Sequence, residues 1–186
     1  YNMSFTKKIL CYTFTPLVFG LSHSTLALTF TEALTQGKAS GNFNIRYEGV
    51  DQDNALDDAT ALTIRSRIGY RTGEVNGFSA LMEFEDVRAI AGVDDYSVPP
   101  TGFNTGEYSV IADPEVTELD QGFLQYKTGI LTAKLGRQVI TYDNHRFVGH
   151  VGWRQDRQTF DGFTLDLKPS ENLTLNYNYI GQRERI

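Results

Sequence analysis

The segment Leu173–Tyr179 reads Leu-Thr-Leu-Asn-Tyr-Asn-Tyr and alternates apolar with polar residues without interruption. Because successive side chains of a β-strand point to opposite faces, one face of this strand is apolar and aromatic, and the other carries only Thr and Asn. A strand of this kind separates an apolar environment from an aqueous one. The pattern recurs along the chain, which predicts an all-β protein and part of an up-and-down antiparallel transmembrane β-barrel.

Alternation with a period of two predicts seven strands in all. The second is typical, because Leu62 and Ile64 lie on one face and Arg65 and Arg67 on the other. The first six predicted strands are approximately Ala39–Val50, Ala61–Arg71, Phe78–Asp86, Glu118–Lys127, Leu131–Ile140 and Thr159–Leu167.

The predicted connections alternate between long and short. Those at 51–60, 87–117 and 141–158 are long, and those at 72–77, 128–130 and 168–172 are short. Outer-membrane barrels have tight periplasmic turns and long outer loops, so this alternation favours a barrel over a soluble sandwich. Bacterial barrels generally have an even number of strands, so we expect residues 28–186 to be the N-terminal part of a barrel whose C-terminal part is missing.

A secretion signal is predicted at the start of the chain. Lys7 and Lys8 precede an apolar run, Ile9–Leu21, and small residues suitable for cleavage after Ala27 follow. Residues 1–27 are therefore predicted to be a signal peptide, with Tyr1 and Asn2 as a leader artefact before Met3. The apolar run is shorter than the roughly 20 residues that a spanning helix needs, and Pro16 interrupts it.

The charge of the chain excludes one class of partner. Without Lys7 and Lys8 the chain keeps 15 basic residues against 23 acidic ones, and it has no basic face suited to nucleic acid. Among those 15 basic residues, 11 are arginines. No later segment has 18 consecutive apolar residues, so no membrane helix is predicted after the signal.

Several of these arginines fall on the polar faces of the predicted strands, which a barrel turns towards its lumen. Charged rings in a pore concentrate solutes of opposite charge and set selectivity. Gly136 is expected to mark a β-bulge that turns Arg137 inward. The alternation predicts the pore-lining residues Arg46, Arg65, Arg67, Arg71, Glu83, Glu85 and Arg137.

A second interpretation of the same residues is that the wall neutralises its own charges. If the turn of the second hairpin is centred at Glu74–Val75, Arg65 lies near Glu85 and Arg67 near Glu83. Opposed charges of this kind across water still orient a dipolar or anionic solute. The sequence leaves both interpretations open.

The most specific part of the chain is a series of short motifs. They are Arg46-Tyr47-Glu48, Asp113–Leu119, Gly136-Arg137-Gln138, Arg146-Phe147-Val148-Gly149, Trp153-Arg154-Gln155 and Thr159–Gly162. With them the chain resembles the alginate-export family of Gram-negative outer-membrane proteins, from about Gly37 to Gly162. The resemblance implies a monomeric β-barrel whose arginine-rich lumen passes a polyuronate or a related solute. It also implies that Arg137, Arg146 and Arg154 lie on the pore side.

An enzyme and a metal site are less favoured by the sequence. His145 and His150 are the two imidazoles after the predicted signal, and no Gly-x-Ser-x-Gly motif is present. The same histidines, with Asp143, Asp94, Asp95 and Asp113, match no recognised metal-binding spacing. We therefore expect no catalytic residues, no cofactor and no metal.

The sequence thus predicts a channel of the bacterial outer membrane that passes small anionic or polyhydroxylated solutes, with polyuronate export included, by passive diffusion. The expected partners are outer-membrane lipid, a small anionic or sugar-like solute and the barrel-assembly machinery. Two alternatives are a barrel with a structural or adhesive role and a secreted, soluble carbohydrate-binding β-sandwich. The second alternative does not explain why apolar faces lie opposite charged ones.

Overall fold

The computed structural model describes residues 26–186. The predicted signal peptide and leader artefact lie outside the described residues, except that Leu26 and Ala27 begin a helix, α1, which spans Leu26–Thr35. No helix among residues 26–186 is long and apolar enough to cross a membrane.

The described chain is all-β, as the alternation predicts. All seven strands belong to one antiparallel sheet in chain order, so each strand pairs with its neighbours in sequence. A two-sheet sandwich is therefore not what these residues form. Two short 3-10 turns lie at Pro99–Thr101 and Asp143–His145. The strands are β1 Lys38–Val50, β2 Ala59–Arg71, β3 Phe78–Asp95, β4 Val116–Thr128, β5 Leu131–Gln138, β6 Thr159–Ser170 and β7 Leu173–Glu184.

The largest difference from the predicted strands is the length of β3, which runs nine residues past Asp86. The register with β2 shifts between Ala61 and Thr63, and the residues opposite this shift include Ala91 and Gly92, which have φ values of 59° and 68°. This irregularity breaks the alternation of apolar and polar residues, so a pattern with a period of two does not predict the second half of the strand. The β3–β4 connection is therefore 96–115, which is shorter than the predicted 87–117.

The two faces of the sheet have opposite character. The apolar face, which carries Phe43, Ile45, Tyr177 and Tyr179, leaves each of these side chains between 58% and 67% exposed. The polar face is the buried one, since Arg65 and Arg67 are 6% and 8% exposed. Exposed apolar and buried charged side chains reverse the arrangement of a soluble protein and match a wall between lipid and a lined interior.

The connections divide the sheet into two ends. At the short-turn end lie the connections 72–77, 129–130 and 171–172, and at the long-loop end lie 51–58, 96–115 and 139–158. A small hydrophobic cluster lies at the long-loop end, where Tyr96, Val98 and Ile111 of the 96–115 connection pack on Ala59 and Ala61. The 96–115 connection thus covers the polar face of β2 with an apolar contact at the long-loop end.

The β2–β3 turn lies further along the chain than predicted. Val75 and Phe78 exchange both backbone hydrogen bonds, at 2.9 and 2.8 Å, and enclose Asn76 and Gly77. These two residues have φ values of 51° and 84°, as a two-residue hairpin turn of the Asn-Gly type requires. The predicted centre at Glu74–Val75 is wrong, because the hairpin uses the pair of residues that tolerates positive φ.

The predicted β-bulge at Gly136 is also wrong. Both ladders of β5 pass through Gly136 without a register shift, opposite Phe123 on one side and Gly162 on the other. The glycine is needed for another reason. Its φ is +127°, and an added Cβ would lie 2.2 Å from the carbonyl oxygen of Gly122 on β4. Gly136 therefore permits a close approach of two backbones.

We predict that Gly136→Ala lowers the stability of the full-length protein in detergent, measured as the free energy of urea unfolding. Gly92→Ala is the matched control, because Gly92 also has positive φ but open space around its Cβ position. Backbone strain alone costs about 1–3 kcal/mol, so Gly136→Ala should lose clearly more than Gly92→Ala. Equal losses would show that the contact with Gly122 is unimportant.

Candidate functional site

The 139–158 loop connects β5 to β6 but crosses the polar face of β1–β4. Its segment 153–157 contacts side chains or carbonyl groups of β1, β2, β3 and β4. This loop therefore covers part of the polar face. The contacts fall into three groups, formed by Gln155, Arg157 and Arg154.

Gln155 attaches the loop to β1 and β2. Its side-chain amide donates hydrogen bonds to the Thr63 hydroxyl at 2.9 Å, to the Thr63 carbonyl at 3.2 Å and to the Asn44 carbonyl at 3.3 Å. The backbone N–H of Gln155 donates to the carboxylate of Asp113 at 3.1 Å. Gln155 is 1% exposed, so these bonds satisfy a polar group that is removed from water.

Arg157 attaches the loop to β3 and β4. Its guanidinium donates to both carboxylate oxygens of Asp120, at 3.1 and 2.5 Å, and to Glu83 at 2.6 Å. A paired arrangement of this kind is among the stronger charge-assisted contacts. Asp120 is fully buried, so the arginine provides the charge compensation that a buried carboxylate requires.

A β-bulge brings Asp120 into this position. The ladder between β3 and β4 pairs Glu83 with Gln121 but Phe84 with Leu119, which leaves Asp120 as the extra residue. The bulge turns the Asp120 carboxylate to the polar face while Gln121 stays on that face and donates to Glu83 at 3.0 Å. The bulge that aims a charged side chain is thus on β4 and not at Gly136.

Arg67 completes the same group of charges. It forms an ion pair with Glu85, its Nε lies 3.4 Å from Asp120, and it donates to the Gln155 carbonyl at 3.2 Å. The predicted partners were Glu85 for Arg65 and Glu83 for Arg67, and both pairs are wrong. The ladder places Arg67 opposite Glu85 and Arg65 opposite Val87, a shift of two residues that follows from the later turn.

Arg65 has a different environment from Arg67. It donates to the side-chain oxygen of Asn42 on β1, and its Nε is buried without a hydrogen-bond partner. Within residues 26–186, the ion pairs closer than 4.0 Å include none with Arg65. Arg65 therefore contributes positive charge to the polar face without a paired carboxylate.

The third attachment of the loop is an ion-pair group at the long-loop end. Glu48 accepts from Arg46 at 2.5 Å and from Arg154 at 2.9 Å, and Asp113 lies 3.6 Å from Arg46 and 3.9 Å from Arg154. The guanidinium carbons of Arg154 and Arg46 lie 4.2 and 5.3 Å from the centre of the Trp153 ring. Two cations and two anions thus balance around one aromatic ring.

Arg137 lies apart from these groups. It forms ion pairs with Asp161 on β6, at 2.8 Å, and with Glu184 on β7, at 2.7 Å. Residues two apart on a strand share a face, and the ladder runs evenly through Gly136, so Arg137 lies on the side of Leu135, which is 61% exposed. Arg137 is brought together with acidic residues of β6 and β7 and not with Arg65 or Arg67.

The two remaining candidate residues lie near opposite ends. Arg71 ends β2 at the short-turn end, and its guanidinium carbon lies 5.5 Å from the ring centre of Phe123. Arg146 is exposed in the 139–158 loop and lies 5.5 Å from the ring centre of Phe147. The nine candidates thus occupy several separate environments.

Five further residues take part in these groups of ion pairs and hydrogen bonds, although the alternation did not predict them as pore-lining: Asp120, Arg157, Gln155, Asp113 and Asp161. Gln155, Asp113 and Asp161 each belong to one of the short motifs, so the motifs were a usable signal for these three. Asp120 and Arg157 carried no signal, because their pairing depends on a bulge and on the path of a long loop. Among residues 26–186, no group of three His, Cys, Asp or Glu side chains is arranged to hold a metal ion.

Fold and polar face together define a membrane-wall protein of the β-barrel class, with a loop bound to its polar face. Comparison with family models matches alginate export over residues 31–181, and the chain belongs to that family. This is a transport family of Gram-negative outer membranes and not a family of enzymes. No curated protein and no solved structure matches the chain.

We predict that Arg157→Ala releases the 139–158 loop, because Glu83 and the buried Asp120 lose their bound cation. Removal of one partner of a buried ion pair costs about 3–5 kcal/mol. Trypsin should then cleave after Arg154 faster than in the parent protein. Arg88→Ala is the matched control, since Arg88 pairs with Asp86 at an exposed position and should leave cleavage unchanged. Unchanged cleavage in Arg157→Ala would contradict the attachment.

Asp156 makes the attachment of the loop depend on pH. It is 3% exposed, and its Oδ1 has no hydrogen-bond partner among the described residues. Burial, followed by the negative charges of Glu118 and Glu85, raises the pKa of Asp156 to about 8, against an ordinary aspartate pKa of about 3.9. The bound loop therefore holds a proton that the released loop gives up, and attachment weakens from about pH 4 up to about pH 8.

We predict that cleavage after Arg154, normalised to a reference peptide at each pH, rises with pH in the parent protein and levels off above about pH 8. Asp156→Asn keeps the size of the side chain but cannot ionise, so its normalised cleavage should rise much less over this range. A variant that retains the full pH dependence would exclude Asp156 as its source.

Proposed function

We propose that the chain forms the wall of an outer-membrane channel that passes small anionic or polyhydroxylated solutes, polyuronate chains included, by passive diffusion. The observation that carries the proposal is the polar face. It is lined by charges of both signs, and Arg65 contributes positive charge without an ion-pair partner among the described residues. A lining of this kind attracts carboxylates and orients hydroxyl-rich solutes without any chemical step.

The arginines fall into two groups, those that form an ion pair with a carboxylate and those that do not. Arg46, Arg67, Arg137, Arg154 and Arg157 each face at least one carboxylate at 4.0 Å or less, so their charges are largely compensated by the wall. Arg65, Arg71 and Arg146 form no such pair within residues 26–186. We therefore assign the anion preference chiefly to these three and assign positioning of the loop to Arg46, Arg67, Arg154 and Arg157, with Glu83 and Glu85, while Arg137 links β5 to β6 and β7.

The 139–158 loop sets the width of the channel in this proposal. It crosses the polar face and is bound at Thr63 on one strand and at Asp120 on another, so solute has to pass beside it. Diffusion through such a constriction favours solutes whose charges match the lining over solutes of the same size.

Placement in the membrane is part of the same proposal. The apolar face contacts outer-membrane lipid, and the protein reaches the bacterial outer membrane through the barrel-assembly machinery. The free edges of β1 and β7 would leave backbone groups unpaired in hydrocarbon. The proposal therefore includes additional strands that close the sheet into a barrel.

We predict that Arg65→Gln in the full-length protein reduces the preference for anions in planar-bilayer recordings, measured as a reversal potential across a salt gradient. Arg88→Gln is the matched control, because Arg88 lies beside Asp86 and pairs on the ladder with Ile64, away from the polar face. An unchanged reversal potential in Arg65→Gln would remove the assignment of selectivity and leave the barrel wall intact.

A further inference from the structure

The helix α1 is held against the short-turn end of the sheet. The backbone N–H of Gly73, in the β2–β3 connection, donates to the Ala33 carbonyl at 2.8 Å. The Tyr70 hydroxyl donates to the Leu34 carbonyl, and Ala33 is 8% exposed. Both contacts reach the C-terminal turn of the helix, so its position relative to β2 is defined.

The helix leaves its apolar side exposed. Phe30 and Leu34 are one helical turn apart and therefore lie on the same side, and they are 66% and 46% exposed. Glu32 and Thr35 lie on other sides of the helix by the same periodicity. An exposed apolar patch of this kind is typical of a surface that contacts a membrane, a ligand or another protein.

An apolar cavity of about 290 Å³ lies between α1 and the wall. The helix contributes Phe30, Ala33 and Leu34, and the sheet contributes Phe78 and Leu124, among other residues. Phe78 and Leu124 belong to the apolar face and are 48% and 50% exposed. The cavity is thus continuous with the surface that the wall turns towards lipid.

The depth of α1 matches the edge of the lipid layer. It lies at the short-turn end, where the Phe78 and Tyr126 ring centres are 4.7 Å apart and Tyr70 is 37% exposed. Aromatic residues of outer-membrane barrels concentrate at the two membrane interfaces, and short turns lie on the periplasmic side. A helix with an exposed apolar side at this level has the arrangement of an interfacial helix.

We propose that α1 lies in the periplasmic leaflet of the outer membrane and that its cavity accommodates the acyl chain of a phospholipid. An acyl chain fills an apolar cavity that is unfavourable for water, and it covers Phe30 and Leu34 at the same time. The inference depends on lipid contact of the apolar face and is independent of the proposed solute selectivity.

The test is fluorescence quenching in phosphatidylcholine vesicles whose acyl chains are brominated near the headgroup end. A fluorophore is attached to Phe30→Cys in the full-length protein, with Cys11 replaced by Ser. Phe43→Cys on the apolar face is the lipid-exposed control, and Phe147→Cys in the 139–158 loop, at an 81% exposed position, is the aqueous control. We expect quenching at position 30 to be close to that at position 43 and several-fold greater than at position 147.

A matched control lies on the same helix. Thr35→Cys is exposed on the side away from Phe30 and should be quenched several-fold less. Quenching at position 30 no greater than at position 147 would overturn the proposal, since water or a protein partner would then cover the helix. Equal quenching at positions 30 and 35 would overturn the orientation of α1. Absence of quenching at position 43 would remove the lipid-facing wall and the inference with it, whatever the reversal potentials.

Discussion

A single layer of β-sheet faces two different environments in this protein, and the rest of the structure depends on that constraint. The sheet exposes aromatic and aliphatic side chains on one face, as Phe43 and Tyr179 do, and β2, β3 and β4 bury charged groups on the other, as Glu85 does. The backbone groups of β2–β6 hydrogen-bond to neighbouring strands on both sides, as backbone groups in hydrocarbon must. Apolar packing includes the cluster at the long-loop end and the contact of α1 with the sheet, and a few other apolar residues, such as Val87 and Phe123, are also buried.

Buried charges on the polar face explain why a loop is bound there. Asp120 and Glu85 are almost inaccessible to water, and an uncompensated carboxylate in such a place is strongly unfavourable. Arg67 from the wall and Arg157 from the 139–158 loop supply the compensation. The ion pairs that position the loop are thus the same ones that compensate most charges of the polar face. The positive charge of Arg65 has no carboxylate paired with it, because its hydrogen-bond partner is the neutral Asn42.

Local alternation was a good guide to the strands and their faces. Seven strands were predicted and seven are present, in one antiparallel sheet, and the predicted polar face of β2 is the buried face. Alternation failed where the chain departs from a period of two. The second half of β3 was missed because of the irregularity that includes Ala91 and Gly92, and the bulge was expected at Gly136 but occurs at Asp120.

By itself, the sequence determined which side chains share a face, because that property depends only on the pleat of each strand. It also determined which connections are long and which are short. Tertiary structure decided which charges meet. The two-residue shift that pairs Arg67 with Glu85 follows from the Asn76-Gly77 turn, and the contact between Arg46 and Trp153 joins residues 107 positions apart. Such pairs depend on register and on the path of a loop, and neither is encoded in the residues beside them.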